Sequence, residues 1–228
     1  MDLFVGQLQS ISKIRAPMAN LESFATGIND YAAEFGLGEP HRQAHFIAQV
    51  MHETGGLKWD REIWGPTATQ KRYEGRKDLG NTQPGDGSKF RGYGFIQTTG
   101  RANVTEFLRW CQARGYDAPN FVARPELIAT TPWSTVSALW YWDTRGLNRF
   151  ADANDIEMIT RRINGGLNGF ADRLDYYART GLVLLGYRTN DVGMFQVDAG
   201  ITADGIAGPA TRAALHLRLT AMAEREVA

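Results

Sequence analysis

The sequence is poor in cysteine, has no excess of charge of either sign and contains no long apolar run. Cys111 is the only cysteine among 228 residues, so an intramolecular disulfide is excluded. The 25 basic side chains equal the 25 acidic ones, which gives no general attraction to nucleic acid or to an anionic membrane. No segment approaches the roughly 18 consecutive apolar residues of a membrane span. We therefore expect neither a nucleic acid nor a membrane as partner, and we expect a monomer.

The N-terminal segment from Met1 to Leu8 also lacks the marks of a secretory signal peptide. It contains the acidic Asp2 and has no basic start, no extended apolar run and no small-residue cleavage site. The sequence therefore predicts synthesis in the cytoplasm without a signal peptide. If the substrate lies outside the cell, lysis or another exporter must release the protein.

Apolar residues recur at helical spacing along most of the chain, and glycine or proline separates the segments. Because there is little of the period-two alternation that predicts strands, we predict a mainly α-helical fold. The first long helix is expected after a cap at Asn20 and ends at Gly36, and Pro40 suits the first turn of a second helix that runs to Thr54. Further helices are predicted over 66–75, 100–114, 132–145, 155–163 and 171–185.

Two stretches interrupt this helical pattern. Residues 78–94 contain five glycines and no helical spacing, which predicts a long loop of the kind usually kept for function. The polar stretch 187–190 indicates a junction, so we predict a larger domain over 1–187 and a small helical segment over 188–228. That segment has four basic and five acidic residues and is not expected to be an electrostatic anchor.

Glu53 ends an otherwise apolar helix face. It follows Phe46 by seven residues and Val50 by three, so at roughly 3.6 residues per turn it shares their face. Burial and the negative end of the helix dipole both disfavour a charged carboxylate there, which suits a general acid. The structural alternative is a partly buried glutamate paired with Arg42 or Lys58.

A metal site is not expected. His52 and Glu53 match the start of a helical zinc-protease motif, but position 56, where the second histidine would lie, is a glycine. His41 and His45 are four residues apart and would offer two nitrogens, yet no third ligand has a defined spacing. We therefore expect no metal or other cofactor and interpret these two histidines as surface or capping residues.

Four short motifs, taken in order, carry a resemblance to a known family. They are HETGG at 52–56, YEGR at 73–76, GYGFIQTT at 92–99 and INGG at 163–166. Their order and spacing resemble glycoside hydrolase family 19, the chitinases and related phage and prophage endolysins, over roughly residues 20–186. The resemblance implies a lysozyme-like, chitinase-type helical domain with a long active-site loop.

The resemblance further implies that Glu53 is the general acid and Glu74 the general base of an inverting mechanism. In such a mechanism the acid protonates the glycosidic oxygen while the base activates water on the opposite ring face, with the carboxyls roughly 6.5–9.5 Å apart. Glu74 lies at the edge of the long loop, where water can keep it ionised. Without the resemblance, Glu74 is a solvated residue among Lys71, Arg72 and Arg76.

The same resemblance identifies polar residues of a substrate cleft. Thr99 corresponds to a hydroxyl residue that positions the attacking water together with the base. Residues that hydrogen-bond sugar hydroxyls and N-acetyl groups correspond to Gln97, Asn103 and Asn164. Thr99 as a helix cap and Asn164 as a turn residue are the local alternatives.

Arg173 corresponds to an arginine near the catalytic carboxylates. In that place it would keep Glu74 charged. The local alternative is that Arg173 pairs with Asp172 or Asp175 on its own helix.

Aromatic side chains near the motifs are candidate sugar platforms. Tyr93 stands where many relatives have arginine between two glycines, so no role is carried over from that arginine, and we expect the phenol to stack on a sugar. Trp59 and Tyr73 are further candidates, together with Trp64 and Phe90. The alternative is that these rings belong to the core.

The C-terminal segment resembles part of the small helical peptidoglycan-binding module of wall hydrolases. Asp204-Gly-Ile, then Gly-Pro209 and Thr211, form the pattern of its later part, and Pro209 suits a helix start. The match covers only that later part. Two interpretations therefore remain, a wall anchor and a tail that only packs on the catalytic domain.

Both parts of the chain thus indicate the bacterial cell wall as substrate. We predict an endolysin-type glycosidase that cuts β-1,4 linkages of the peptidoglycan strand and acts on the wall after release. The absence of the disulfides common in plant relatives favours the bacterial or phage branch. The alternatives are a chitinase with the same machinery, a non-catalytic glycan-binding protein and, more remotely, a metal-dependent amidase.

Overall fold

The computed structural model describes residues 2–226, with side chains up to Ala223. Within that range the regular structure is helical, and the β-type pairing consists of isolated bridges from Tyr93 to Arg61 and Thr98. The helices are α1 Val5–Ile11, α2 Met18–Tyr31, α3 Pro40–Glu53, α4 Ala68–Lys71, α5 Asp86–Lys89, α6 Arg101–Ala113, α7 Trp133–Thr144, α8 Asn148–Asp152, α9 Ile156–Asn164, α10 Phe170–Leu184, α11 Val192–Asp198 and α12 Pro209–Glu226. Three short 3-10 helices cover Ala32–Phe35, Lys77–Leu79 and Pro125–Ala129. The prediction of a mainly α-helical fold is confirmed.

Helices α3 and α10 form the central pair. Pro40 opens α3 at the first turn, where its missing N–H is not needed, and Phe46 and Val50 bury the helix face that leads to Glu53. α10 packs along α3 and contributes the buried Tyr177 to the same hydrophobic cluster. Loss of a ring such as Phe46 from this cluster is expected to cost roughly 3–5 kcal/mol, so the packing fixes the end of α3 firmly.

A second hydrophobic cluster holds α6 against α7. Phe107 of α6 stacks on Phe121 with ring centroids 5.1 Å apart, and it contacts Trp140 of α7 with centroids 5.5 Å apart. α6 begins immediately after Thr99 and Gly100. Packing of this cluster therefore fixes the point at which the long loop ends.

Two of the helix predictions need correction. α2 begins at Met18, so Asn20 lies inside the helix and is not its cap; its amide donates instead to the carbonyl of Leu57 at 2.8 Å. The helix expected over 66–75 is the single turn α4, which Thr67 caps. It ends at Lys71, and the chain continues as a turn to Gly75, which lies in the left-handed region.

The segment 78–94 is less irregular than the sequence suggests. It contains α5 and adjoins the 3-10 helix Lys77–Leu79. Asp86, whose side chain is almost fully buried, pairs with Arg101 and accepts from the backbone N–H of Gln83 at 2.9 Å. The ion pair therefore ties the loop to the first turn of α6 and lowers the pKa of Asp86.

The C-terminal helices pack on the rest of the chain. Leu215 of α12 lies in a cluster with Phe195 and with Leu182 of α10, and Leu219 belongs to the main core. α12 contacts both α3 and α10. The boundary at residue 188 stays a prediction, but the segment shares its buried surface with the larger domain. Over residues 2–226, each helix is too short or too polar to cross a membrane.

Candidate active site

Glu53, the last residue of α3, is paired with Arg173 of α10. Arg173 is 1% exposed and donates one amino group to Glu53 and the other to the side-chain oxygen of Gln49. The side chain of Glu53 is 25% exposed, so a buried cation holds a carboxylate that solvent can reach. The pairings of Glu53 with Arg42 or Lys58 that the sequence left open are replaced by this one, because α10 brings Arg173 to the end of α3.

An open pocket of about 330 Å³ lies at this carboxylate. Its lining residues are Glu53, Trp59, Arg61, Glu62, Ile63 and Gln97. The indole of Trp59 is 42% exposed, as expected of a sugar platform. The pocket therefore combines two carboxylates, an exposed ring and an amide.

Glu62, the second carboxylate, is held by three donors. One oxygen accepts from the backbone N–H of Gly92 at 3.1 Å, and the other accepts from the Gln70 amide at 3.0 Å and the Tyr73 hydroxyl at 3.5 Å. Burial and then the nearby charge of Glu62 raise the pKa of Tyr73, so this phenol remains a donor. These three donors fix the orientation of the Glu62 carboxylate in the pocket.

The sequence reasoning missed Glu62. The residue lies in an irregular stretch nine positions after Glu53, where neither helical nor strand periodicity applies. The available signal was its position between Trp59 and Trp64, directly after the Gly55-Gly56 stop of α3.

Glu74 lies on the exposed loop, outside the residues that line this pocket. Its two carboxylate oxygens accept from the backbone N–H groups of Gly85 at 2.7 Å and Gly87 at 2.8 Å. The expected contact of Arg173 with Glu74 is corrected, because that guanidinium is engaged by Glu53 and Gln49. In this structure Glu74 fastens one part of the loop to another.

Gln97, Thr99 and Asn103 form a connected set beside the pocket. The Thr99 hydroxyl donates to the carbonyl of Gln97 at 2.8 Å, and the Asn103 amide donates to the carbonyl of Thr99 at 2.7 Å. The N-cap of α6 is Gly100, so Thr99 is not its cap. The structure therefore brings these three predicted residues together next to Glu53 and Glu62.

The remaining predicted residues lie elsewhere or have other contacts. Asn164 ends α9, where its amide donates to Asn168 at 2.8 Å and its oxygen accepts from Gly166 at 2.8 Å, so the side chain holds a turn. Tyr93 and Phe90 are 3% and 0% exposed and belong to the second hydrophobic cluster. Their interpretation as sugar platforms is corrected, because neither ring is accessible.

The histidines of α3 are also corrected. His41 and His45 are 7% and 0% exposed, so they are neither surface nor capping residues. Burial, aided by His216 and His41, lowers the pKa of His45 to about 3. Among residues 2–226, no group of three or more histidine, cysteine or acidic side chains is arranged to hold a metal ion.

The sequence is similar to that of a bacterial protein of a known family. No family model matches the chain. A glycosyl hydrolase family 19 domain-containing protein of Haemophilus influenzae (strain ATCC 51907 / DSM 11121 / KW20 / Rd) is 35% identical over 164 residues, which cover 60% of this chain and 76% of that protein.

Solved structures show the same fold. Chitinase C from Streptomyces griseus HUT6037 is similar with a TM-score of 0.61 and 21% identity, covering 81% of this chain and 77% of that chain. A bacterial family 19 chitinase compared with plant enzymes is similar with a TM-score of 0.60 and 21% identity, covering 82% of this chain and 96% of that one. The predicted lysozyme-like, chitinase-type helical architecture is confirmed.

Proposed function

Because this chain belongs to glycoside hydrolase family 19, we propose that it is an endolysin-type glycosidase that hydrolyses β-1,4 linkages of the peptidoglycan strand with inversion. The observation that carries the proposal is the pocket that Glu53 and Glu62 line together, with the exposed ring of Trp59 beside them. An inverting glycosidase needs two carboxyl groups on one cleft, one to give a proton and one to take one.

Glu53 is the general acid of this proposal. Its carboxyl proton passes to the glycosidic oxygen as the bond from that oxygen to the anomeric carbon breaks. Negative charge then develops on Glu53 next to the buried guanidinium of Arg173. Because Arg173 is already in place, it stabilises this charge without reorganisation in the transition state.

We assign the general base to Glu62 instead of Glu74. Glu62 lines the pocket, and its donors keep it oriented, so it can take a proton from water that attacks the anomeric carbon from the opposite face. Both oxygens of Glu74 are engaged by the loop backbone. Thr99 remains the proposed positioner of water, and the other proposed sugar contacts are Trp59, Tyr73, Gln97 and Asn103.

The choice of peptidoglycan rests on the C-terminal segment. A pocket of about 490 Å³ lies between α11 and the start of α12 and includes Asp204, Ile206 and Thr211, residues of the pattern that resembles a wall-binding module. Its floor is rigid, because the buried Gln196 donates to Asp204 at 2.7 Å and to Thr211 at 2.9 Å. A chitinase is the second candidate, since the two similar solved structures described above are chitinases by description.

Wall attachment is best tested in the full chain. Deleting residues 188–228 would expose the clusters that Leu215 and Leu219 complete. We expect Ile206→Glu, at a 65% exposed pocket residue, to weaken sedimentation with purified walls, and Leu217→Glu, at a 69% exposed residue of α12, to leave it unchanged. Equal binding of both variants would make the segment a structural extension.

The reaction itself is tested by mass analysis of fragments released from purified peptidoglycan, with chitin oligomers in parallel. New reducing ends on peptidoglycan would support the proposal, whereas cleavage of chitin alone would favour the second candidate. Freed peptides without new reducing ends would indicate an amidase. A chelator is expected to leave activity unchanged, because no proposed step uses a metal.

A further inference from the structure

A smaller pocket of about 110 Å³ shares Gln97 with the pocket of Glu53 and Glu62. Its polar lining residues include Thr99 and Asn103, and its wall is completed by Tyr141 and Arg145 at the end of α7. Arg145 is the one charged residue among those that line it. The two pockets therefore adjoin at Gln97, and the smaller one has a cation in its lining.

Several hydrogen-bond donors of this smaller pocket are used inside the protein. The amides of Gln97 and Asn103 and the hydroxyl of Thr99 each donate to a backbone carbonyl at 3.2, 2.7 and 2.8 Å. Each amide keeps one further N–H, and two other lining side chains have neutral donors with no partner among the described residues. Arg145, with a single weak contact to the Thr144 hydroxyl at 3.4 Å, retains most of its N–H groups. Arg145 is therefore the charged donor that this pocket offers to a ligand group that accepts hydrogen bonds.

The guanidinium of Arg145 is held in position by stacking. Its central carbon lies 3.5 Å from the ring centroid of Tyr141, and the Tyr141 hydroxyl donates to the carbonyls of Arg162 at 3.2 Å and Ile163 at 3.3 Å. Stacking occupies a face of the guanidinium and leaves its edge for the parallel N–H bonds that a carboxylate accepts. In the described part of the chain, Arg145 has no ion-pair partner, whereas the exposed Arg161 has one.

The charge of Arg145 and that of the proposed acid act on the same ring. Burial raises the pKa of Tyr141, Arg145 opposes the rise and Glu53 adds to it. Tyr141 thus lies within the field of both groups, which supports placing Arg145 along the cleft that contains Glu53.

We propose that Arg145, stacked on Tyr141, forms a subsite for a carboxylate carried by the glycan next to the scissile bond. This rests on the proposed function and deepens it, because the peptidoglycan strand bears carboxylates on its peptide substituents, and on its lactyl groups where no peptide is attached, whereas chitin is neutral. Arg145 is then a specificity-determining residue that favours the acidic polymer over the neutral one.

The test compares soluble peptidoglycan fragments with the same fragments after their carboxylates have been converted to methylamides. In wild-type protein we expect kcat/KM to favour the acidic fragments, and in Arg145→Gln we expect that preference to fall about tenfold, since bidentate bonds to a charged group are lost. Arg145→Lys keeps the positive charge but loses the parallel N–H groups of the guanidinium, so we expect an intermediate preference for the acidic fragments. The exposed Arg109→Gln, outside both pockets, is the matched control.

An unchanged preference in Arg145→Gln, or an equal fall in Arg109→Gln, would overturn the subsite. If the wild-type protein cleaves neither fragment, the proposed function is wrong. The proposed subsite is then tested by binding alone. Titration calorimetry with the two fragments should then still show a preference for the acidic one that Arg145→Gln loses. Equal affinities for both fragments would reject the subsite.

Discussion

The two carboxylates of the pocket are held in position in different ways. Glu53 ends the 14-residue helix α3, whose apolar face packs against α10. Glu62 lies in an irregular stretch and is positioned by directed bonds from Gln70, Tyr73 and Gly92. Apolar packing fixes Glu53, the proposed acid, through many contacts, whereas Glu62, the proposed base, depends on a few hydrogen bonds that are each worth about 1 kcal/mol. Changes to the buried charge beside Glu53 should therefore destabilise the protein. Changes to the hydrogen bonds of Glu62 should lower activity before they lower stability.

Glu53→Gln, at the end of α3, is expected to have the largest effect on activity. The amide keeps the shape of the side chain but cannot donate the acid proton, so we expect kcat to fall about 1000-fold or more. The substitution also leaves the buried charge of Arg173 without its carboxylate, so we expect a lower melting temperature, and circular dichroism would check that the variant is folded at the assay temperature. Near-normal lysis of walls by this variant would exclude Glu53 as the acid.

Arg173→Met tests whether the buried cation stabilises the packing of α10 against the end of α3. Removing one partner of a buried pair leaves the other charge uncompensated, so we expect the free energy of unfolding to fall by about 3 kcal/mol and kcat to fall with it. Arg161→Met, which removes an exposed pair with Glu157 within α9, should cost less than about 0.5 kcal/mol. Urea denaturation measures both, and equal costs would contradict the proposed rigidity of the helix pair.

The pH dependence of stability reports on the same helix through His45. Its pKa of about 3 in the folded protein lies below the ordinary value of 6.5, so below pH 6.5 the unfolded chain binds a proton that the folded chain does not. Stability should be constant above that pH and should fall by about 2 kcal/mol by pH 5. The groups that face His45 are His41, His216 and Asp152.

His45→Gln removes this titration, so urea denaturation at pH 7.5 and pH 5 should show a smaller loss than in the wild type. The depressed pKa of His216 contributes in the same direction, and His45→Gln leaves that contribution in place. A wild-type stability that rises on acidification would contradict the buried, neutral state of His45.

Gln70→Ala tests the hydrogen bonds that hold Glu62 and is expected to have the smallest effect on stability. Gln70 donates to Glu62 and to the carbonyl of Ile63 at 2.7 Å, and its oxygen accepts from Thr67 at 2.8 Å. Its loss should loosen Glu62 and lower kcat about tenfold, with little change in melting temperature. Thr69→Ala, an exposed position in the same turn, is the control. A large fall in stability with unchanged kcat would show that Gln70 acts only on folding.

The sequence predicted the parts of the molecule that depend on periodic packing. α3 and α10 match the predicted helices to within about two residues, because Pro40 starts the first and regular apolar spacing defines both. α8 was missed, since five residues are too few for a helical period to be visible. The predicted Asn20 cap failed because that amide is used in a tertiary contact with Leu57, which local preference cannot reveal.

The site was predicted only in part, for the same reason. Glu53 was found because it interrupts an apolar helix face, and Gln97, Thr99 and Asn103 came from a motif. Tyr93 was misplaced because the sequence does not show which side of a loop is buried. Glu62 was not found, because three tertiary hydrogen bonds from residues 8 to 30 positions away hold it in the pocket.

Chemical rescue measures the central claim, that Glu62 and not Glu74 is the base that acts with Glu53. Glu62→Ala should be nearly inactive, and azide should partly restore its activity with an α-linked glycosyl azide as product, because azide attacks without deprotonation while Glu53 still protonates the leaving oxygen. Glu74→Ala should retain much of its activity and gain nothing from azide. Rescue of Glu74→Ala in place of Glu62→Ala, or a β-linked azide seen by NMR, would contradict the account.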